Sequence, residues 1–379
     1  MSRHAKMTPF YRQLATQIEE RGGIFNAHVH LDRVGTLDDA YMQHAGHRIL
    51  ENSHISLHEK HSLIGAIHSG PAYDAENMKT RVNDCLDTMV AVNTFRVDTM
   101  VDVTSDNVGM SALETLLEVK HARASEIDLQ IGAYSPFGFK DKEPASWELY
   151  VEGIERADFI GSLPEADDVD DYPEHIGFTE HCRRVLEIAQ KTNRLVHVHT
   201  DQRNEPSESG TERLIEAVRK YGAPVSNTGE PMVWAVHMLS PTTYDEPRFN
   251  ALAAGLAECN IGVICCPSAA IGMRQLRALA TPTYNSIPRV LELLAAGVHV
   301  RLGSDNIADI CSPSTTADLT DEIFVLSAAL RFYHVGVLAK LAAGTKLDEA
   351  DREMIREHLH ENDLQIEKAL RATGQVPAS

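Results

Sequence analysis

The sequence predicts a parallel α/β barrel, and three observations lead to that prediction. Short apolar segments typical of buried strands alternate eight times with segments whose apolar residues recur at helical spacing. No low-complexity linker interrupts this alternation along the 379 residues. The hydrophobic content of 43% is sufficient for one sizeable core. Repeated β–α units of this kind form the (β/α)8, or TIM, barrel, in which each strand lies parallel to the next.

The predicted elements follow a regular order after an N-terminal helix over 1–22, which ends at two glycines. The first strand, 24–29, runs into a polar, histidine-rich connection over 33–72. The other seven strands are predicted over residues 94–103, 128–134, 158–163, 194–200, 231–237, 260–266 and 298–304. The helices between them are predicted over residues 77–93, 110–123, 144–156, 174–192, 208–221, 246–258 and 287–296. The remainder, 318–373, is predicted to be largely helical.

The predicted domain organisation has three segments. Residues 1–23 form the N-terminal helix, residues 24–335 the barrel, and residues 336–379 a helical extension packed on the barrel. Apolar side chains on the helices over 323–337 are expected to be exposed, which allows a homo-oligomer.

Charge and cysteine content limit the classes of partner. The net charge of −20, with no basic cluster, argues against nucleic acid and against anionic membranes. The six cysteines are scattered without a C-x-x-C pair, which favours a reduced, cytoplasmic protein. The sequence contains neither a charged-then-apolar leader nor a run of about eighteen apolar residues, so we expect neither export nor a membrane span.

Histidine and aspartate side chains lie where several predicted strands end. Chemistry in such barrels gathers at the C-terminal ends of the strands. Four of the eight strands end in such residues, namely His28 and His30, His197 and His199, His237, and Asp305 followed by Asn306. A single histidine there is more often a hydrogen-bonded packing residue, but four strand ends at one level favour a common site. Three imidazoles and one carboxylate, with a position left for water, make a hydrolytic metal site.

This constellation resembles the amidohydrolase superfamily, and within it the cytosine-deaminase-like branch, which includes triazine-ring aminohydrolases. Besides the histidines and the aspartate, the resemblance is carried by the segments HVHLD, LETLLEVK, LQIGAY, ADFIGSLP, AQKTNRLVHVHTDQ and LGSDNI. They occur in the expected order and cover most of 24–335. Most relatives add a small β-sandwich built from both termini. Here a helix precedes the first strand and 340–372 has helical character, so we predict terminal helices in place of the sandwich.

The resemblance implies one divalent metal ion, zinc or iron, bound by His28, His30, His199 and Asp305. The fourth strand ends in leucine and proline without a lysine to carboxylate, which makes a two-metal site unlikely. His197 is a rival ligand on the fifth strand. It points to the same face as His199 but one step deeper, so His199 is preferred.

The resemblance also implies the roles of three further groups. Asp305 takes a proton from the metal-activated water, while His237 steadies the attacking hydroxide or the new oxyanion. In the deaminases of this branch a glutamate three residues after the strand-five histidine protonates the ring nitrogen. Position 202 holds Gln202 instead, and an amide cannot donate and retrieve a proton as a carboxyl group can. Either Gln202 only hydrogen-bonds the substrate, or another group shuttles the proton, namely His197, Asp201 or Glu165.

The expected substrate contacts differ from those of the relatives. Phe137 lies in the segment SPFGF, where relatives place a glutamine that reads the base, and it is either a pocket residue or a loop anchor. Met100 stands where relatives often carry histidine. Arg33 follows the HVHLD segment, where a basic residue touches substrate in relatives; its alternative is an exposed rim arginine. His197 and Asn306 are further candidates for substrate contacts.

These features predict a metal-dependent hydrolase of carbon–nitrogen bonds in a small nitrogen heterocycle or cyclic amidine, in its first form an aminohydrolase. Ring opening of a cyclic amide or removal of an N-alkyl amine is a close alternative. Gln202 is more compatible with these reactions than with deamination. A third alternative is an inactive homologue that binds metal or ligand only.

Overall fold

Eight parallel strands form one sheet that closes into a barrel. The computed structural model describes residues 8–46, 48, 63–272 and 285–372. The strands are β1 (Ile24–Val29), β2 (Thr94–Asp102), β3 (Asp128–Tyr134), β4 (Phe159–Ser162), β5 (Val196–Thr200), β6 (Val233–His237), β7 (Ile261–Cys265) and β8 (Val300–Leu302). Each strand pairs with the next in sequence order, and a parallel bridge from Val29 to Asp305 joins the two ends of the sheet. The predicted (β/α)8 barrel is confirmed.

Helices separate the strands and cover the outside of the barrel. Within the described residues they are Pro9–Glu19, Ile64–His68, Ala75–Ala91, Ser111–Arg123, Pro144–Arg156, Phe178–Thr192, Gly210–Tyr221, Glu246–Glu258, Pro267–Gly272, Val290–Ala295, Leu319–Leu330, Val335–Ala342 and Glu349–Ala372. The sequence did not predict the two short helices at 64–68 and 267–272 as separate elements. Both are a turn or two long, too short for a periodic apolar pattern to distinguish them from a loop.

The core has an outer and an inner part. One large apolar cluster fills the space between the strands and the surrounding helices. Inside the barrel, two smaller clusters comprise Phe25, Ala27, Trp234, Val236, Ile264 and Cys266, and Met100, Tyr134, Phe159 and Leu163. The barrel interior is therefore a packed core beneath its C-terminal mouth, and polar groups at that mouth stand on a rigid base.

A bulge in β1 places both histidines of the first strand inside the barrel. Asn26 pairs with Val97 and Val29 pairs with Thr99, so β1 advances one residue further than β2 between these pairs. An extra residue of this kind changes which side chains face inward. Ala27 accordingly belongs to the inner cluster, although strict alternation would place it opposite His28.

Both ends of the described chain are helical, as predicted. The helix at 9–19 packs against the helix at 335–342, and the helix at 349–372 packs against the one at 290–295. Among the described residues every strand belongs to the barrel sheet, so this part of the chain contains no β-sandwich. The domain boundaries after residues 23 and 335 stay predictions. None of the described helices has the length and apolar character needed to cross a membrane.

Candidate metal centre and active site

Three histidines from β1 and β5, which lie across the barrel from each other, converge at its C-terminal mouth. His28 and His30 leave β1, and His199 lies near the end of β5. The ring centroid of His28 is 5.1 Å from that of His30 and 5.0 Å from that of His199. All three side chains are at least 97% buried. Their ligand nitrogens lie within 4.8 Å of one another, which is close enough for one metal ion.

Asp305 and His237 complete the arrangement from β8 and β6. An Asp305 carboxylate oxygen lies 3.5 Å from Nε2 of both His28 and His30. Ligand atoms of His28, His237 and Asp305 form a second group within 4.8 Å. Both Asp305 and His237 have positive φ angles, 59° and 76°, a conformation that side-chain-bearing residues rarely adopt. Such strain at strand ends is typical of functional sites, and here it turns two side chains into the barrel mouth.

The local hydrogen bonds fit a metal ion better than a packed core. Nδ1 and Nε2 of His28 and Nδ1 of His30 are buried without a hydrogen-bond partner among the described residues. Buried polar atoms are normally paired, and orphaned ring nitrogens that converge on one point indicate an absent ligand. Imidazole nitrogens with one carboxylate are the donors that zinc and iron accept. The residues therefore fit one divalent metal ion.

The electrostatics of the site keep these groups in the ligating form. Burial lowers the pKa of His30, His199 and His237, the last to about 4, and the positive charge that would arise on neighbouring imidazoles lowers it further. Burial alone raises the pKa of Asp305, but the neighbouring imidazoles of His28, His237 and His30 outweigh burial, so its pKa lies below the ordinary value. Neutral imidazoles around an anionic carboxylate bind metal without first losing protons.

His197 lies deeper in the barrel than His199. Its ring centroid is 6.2 Å from that of His28 and 4.6 Å from that of Phe159, within the apolar interior. It belongs to neither group of converging ligand atoms. The geometry favours His199 as the ligand on β5, and it places His197 below the site rather than beside a substrate at the mouth.

Gln202 lies beside Glu165 at the β4–β5 edge of the mouth. The Gln202 amide nitrogen donates to a Glu165 carboxylate oxygen at 3.1 Å, and the main-chain N–H of Asp201 donates to the other oxygen. Glu165 belongs to the 3-10 turn Pro164–Asp167 that follows β4. Burial raises the pKa of Glu165 well above its ordinary value, and the carboxylates of Glu208 and Asp201 raise it further.

Arg33 is buried in an ionic network at the opposite edge of the mouth. It is 4% exposed, and its Nη1 lies 3.3 Å from Oδ2 of Asp102. The same carboxylate accepts a hydrogen bond from Tyr73 at 3.0 Å and contacts Nε2 of His68 at 2.9 Å. The alternative of an exposed rim arginine is therefore wrong, because Arg33 is held by Asp102 beneath the surface. A direct contact of Arg33 with substrate stays a prediction.

The two remaining residues predicted to contact substrate, Phe137 and Asn306, differ in how deeply they are buried. Phe137 is 39% exposed and its ring lies edge-on to His68, with centroids 5.5 Å apart. Phe139, by contrast, is buried against Trp147 and is a loop anchor. Asn306 is buried next to Asp305, and its side-chain oxygen has no partner among the described residues. Phe137 and Asn306 are thus both placed at the mouth, the first as a wall and the second as a free acceptor.

Sequence reasoning assigned no particular role to His68, Tyr73 or Asp102. Asp102 ends β2 as Asp305 follows β8, so the strand-end rule that found Asp305 could have found it. His68 is one of several irregularly spaced histidines in the long connection after β1, and only the fold brings it to Asp102. His47, His54, His58 and His61 of that connection lie outside the described residues.

Comparisons with known structures find enzymes with a similar fold. A 5-methylcytosine deaminase from Klebsiella pneumoniae superposes with a TM-score of 0.68 at 26% identity, covering 83% of this chain and 69% of that one. The N-isopropylammelide isopropylaminohydrolase from Burkholderia multivorans ATCC 17616 superposes with a TM-score of 0.64 at 20% identity, covering 85% and 73%, and it supports the fold alone.

Comparison by sequence gives one further relative. An uncharacterized protein of Haemophilus influenzae is 25% identical over 288 residues, 75% of this chain and 95% of that protein. No family model matches the chain. The structural neighbours that carry the resemblance are amidohydrolase-superfamily enzymes. The chain therefore resembles the cytosine-deaminase-like branch of the amidohydrolase superfamily, and it is an enzyme that hydrolyses carbon–nitrogen bonds other than peptide bonds.

Proposed function

We propose that this protein is an aminohydrolase that releases an amine from a carbon of a small nitrogen heterocycle, with one divalent metal ion held by His28, His30, His199 and Asp305. The observation that carries the proposal is the convergence of these ligand atoms, together with His237, at the barrel mouth. The likeness to a 5-methylcytosine deaminase supports the same substrate class. We propose zinc as the native ion, because imidazole-rich sites with one carboxylate suit it, and iron as its rival.

The division of labour follows from the charges of the site. These residues would hold a divalent ion, which would supply Lewis-acid activation of a water molecule by lowering its pKa towards neutrality. Asp305 is anionic beside the imidazoles of His28 and His30, so it accepts the proton of the attacking water. His237 is neutral at physiological pH, and its imidazole hydrogen-bonds the attacking oxygen or the oxygen of the tetrahedral adduct. Phe137 and Asn306 contact the ring of the substrate, and Arg33 binds one of its polar groups.

A second candidate is the hydrolysis of a ring amide or of an N-alkyl amine. Gln202 favours it, because an amide at this position can hydrogen-bond a substrate but cannot protonate a ring nitrogen. An inactive homologue is the third candidate, and retention of the complete donor set argues against it.

The cellular compartment and the oligomeric state of the enzyme are also proposals. The six cysteines are free, which fits the reducing cytoplasm. Phe324, in the helix at 319–330, and Tyr333, in the loop that follows it, are 60% and 56% exposed, and we propose that they lie in a homo-oligomer contact. Light scattering of the wild type and of Phe324→Asp tests this, since a monomeric wild type would contradict it.

A substrate screen tests the function. Zinc-loaded protein is incubated with pyrimidines, triazines, purines and cyclic amides, and mass spectrometry is combined with an assay for released ammonia. Ammonia with a gain of about one mass unit supports the aminohydrolase. A gain of one water without ammonia indicates ring opening, and release of an alkylamine indicates the second candidate. Silence across the panel by protein that holds zinc contradicts the proposal and favours the inactive homologue.

A further inference from the structure

At the position where relatives carry a glutamate, this chain has Gln202, whose side chain contacts the carboxylate of Glu165. Gln202 stands three residues after His199, and its amide nitrogen is 3.1 Å from the carboxylate of Glu165. A carboxyl group therefore lies one hydrogen bond away from the place where a glutamate at 202 would carry its own. It comes from the turn after β4, the strand that pairs directly with β5.

The two other candidates for the proton shuttle, Asp201 and His197, make contacts away from Gln202. The Asp201 carboxylate accepts hydrogen bonds from the main-chain N–H of Gly210 at 2.7 Å and of Thr211 at 2.9 Å, and from the Thr211 hydroxyl. These bonds hold the start of the helix at 210–221. His197 lies against Phe159 inside the barrel, below the level of the mouth. Of the groups that sequence reasoning left open, only Glu165 keeps a carboxyl beside Gln202.

The surroundings of Glu165 suit a proton donor. Its half-buried side chain has the carboxyls of Glu208 and Asp201 and the guanidinium of Arg203 nearby, and desolvation with like charge from the carboxyls disfavours its anion. Two N–H donors, from Asp201 and Gln202, act in the opposite direction but do not outweigh burial. A carboxyl group that keeps its proton near neutral pH is what general acid catalysis requires.

We propose that Glu165 is the general acid of this enzyme, a catalytic residue that replaces the absent glutamate by delivering its proton to the ring nitrogen from the β4 turn. This inference rests on the proposed aminohydrolase function. Gln202 is then a positioning residue, which holds the Glu165 carboxyl through its amide.

The protons balance over one turnover. Water gives one proton to Asp305 as its oxygen bonds to the ring carbon, and the C=N electron pair moves to the ring nitrogen, which takes the proton of Glu165. The O–H proton of the tetrahedral adduct then passes to the Glu165 carboxylate while the carbonyl forms. The bond from carbon to the exocyclic amine breaks, and the amine leaves with the proton held by Asp305. Glu165 is again protonated, so no further reactant is needed.

A carboxyl-swap experiment tests the proposal. Glu165→Gln is expected to lower kcat on the screened substrate by about 10²- to 10⁴-fold, the range for losing a general acid. Product affinity, measured by calorimetry on zinc-loaded protein, should change by less than about threefold, because the donor rather than the pocket is lost. The double variant Glu165→Gln with Gln202→Glu restores a carboxyl at the position used by relatives. Its kcat should be at least about tenfold higher than that of Glu165→Gln. Glu205→Gln, which removes a carboxyl from the same rim, is the matched control.

A second readout does not depend on turnover. Carboxyl resonances of ¹³C-glutamate-labelled, zinc-loaded protein are followed against pH. The wild type should show a carboxyl with a raised titration midpoint that is absent from Glu165→Gln. The wild-type pH–rate profile should fall on its alkaline side as this group loses its proton, and this limb should vanish in Glu165→Gln.

The outcomes separate this inference from the proposed function. Turnover by the wild type that Glu165→Gln leaves within about threefold, or an ordinary titration of Glu165, overturns the inference while the function stands. A fall in kcat that the double variant does not recover also overturns it, since Glu165 would then act by holding the Asp201 main chain. Failure of zinc-loaded wild type on every compound removes the proposed function and this role with it.

Discussion

The two edges of the barrel mouth differ in how their polar groups are held. At the β1–β2 edge, Asp102 binds Arg33, His68 and Tyr73 in a closed, buried network of ion pairs and hydrogen bonds. At the β4–β5 edge, Glu165 is half-buried and contacts Gln202, and the carboxyls of Glu208 and Asp201 and the guanidinium of Arg203 lie near it. The first edge pairs its central carboxylate with two basic side chains, whereas at the second edge burial and neighbouring carboxyls raise the pKa of Glu165, as is common at reacting groups. The candidate metal centre draws its groups from β1, β5, β6 and the end of β8.

The largest expected effect concerns the centre itself. His199→Asn should abolish binding of one zinc ion and lower kcat/KM by at least about 10³-fold, because it removes a proposed ligand. His197→Asn, two residues earlier on the same strand, should keep stoichiometric zinc. Metal analysis by inductively coupled plasma mass spectrometry and steady-state kinetics measure both. Zinc retained by His199→Asn and lost by His197→Asn would reverse the assignment on β5.

The next effect concerns the closed network. Asp102→Asn should lower the free energy of unfolding by about 3–5 kcal/mol, because it leaves buried Arg33 and His68 without their shared carboxylate. Asp106→Asn removes the other carboxylate that contacts His68. Because the Asp106 side chain is 35% exposed, this change should lower the free energy of unfolding by less than about 1 kcal/mol. Denaturant titration measures both, and equal losses would mean that Asp102 is not the centre of the network.

The pH dependence of stability should report the same network. Burial alone would lower the pKa of His68, but hydrogen bonds with Asp102 and Asp106 raise it to about 9. Folding therefore favours protonated His68, so this contribution is present below about pH 6.5 and is lost as the pH rises through about 9. Urea titrations between these values should give a falling free energy of unfolding for the wild type and a flatter profile for His68→Gln. Parallel profiles would contradict the ion pairing.

The smallest effect concerns the aromatic wall over His68. Phe137→Ala should raise KM by about tenfold while the free energy of unfolding changes by less than about 1 kcal/mol, since the ring is partly exposed. Phe139→Ala is the contrast, because this ring is buried and its loss should cost about 3 kcal/mol or more. An unchanged KM for Phe137→Ala would remove it from the substrate pocket.

The difference between strand ends and the segments that connect the strands explains what could be predicted from the sequence. The strands and the residues at their ends were predictable, because apolar runs fix the strands and parallel strands bring their C-terminal ends together. The metal-site candidates His28, His30, His199 and Asp305 therefore met as expected. The bulge that turns His28 inward left no local signal in the sequence. The contacts of His68 and Glu165 were not predictable, since they come from loops whose course depends on tertiary packing.

X-ray absorption spectroscopy of the wild type, after removal of metal with a chelator and titration with zinc, tests the central claim most directly. We predict one tightly bound ion per chain, with a first shell of imidazole nitrogens and carboxylate oxygen, and loss of both the ion and that spectrum in Asp305→Asn. A second equivalent ion, a shell containing sulfur, or an unchanged spectrum in Asp305→Asn would contradict the proposed centre.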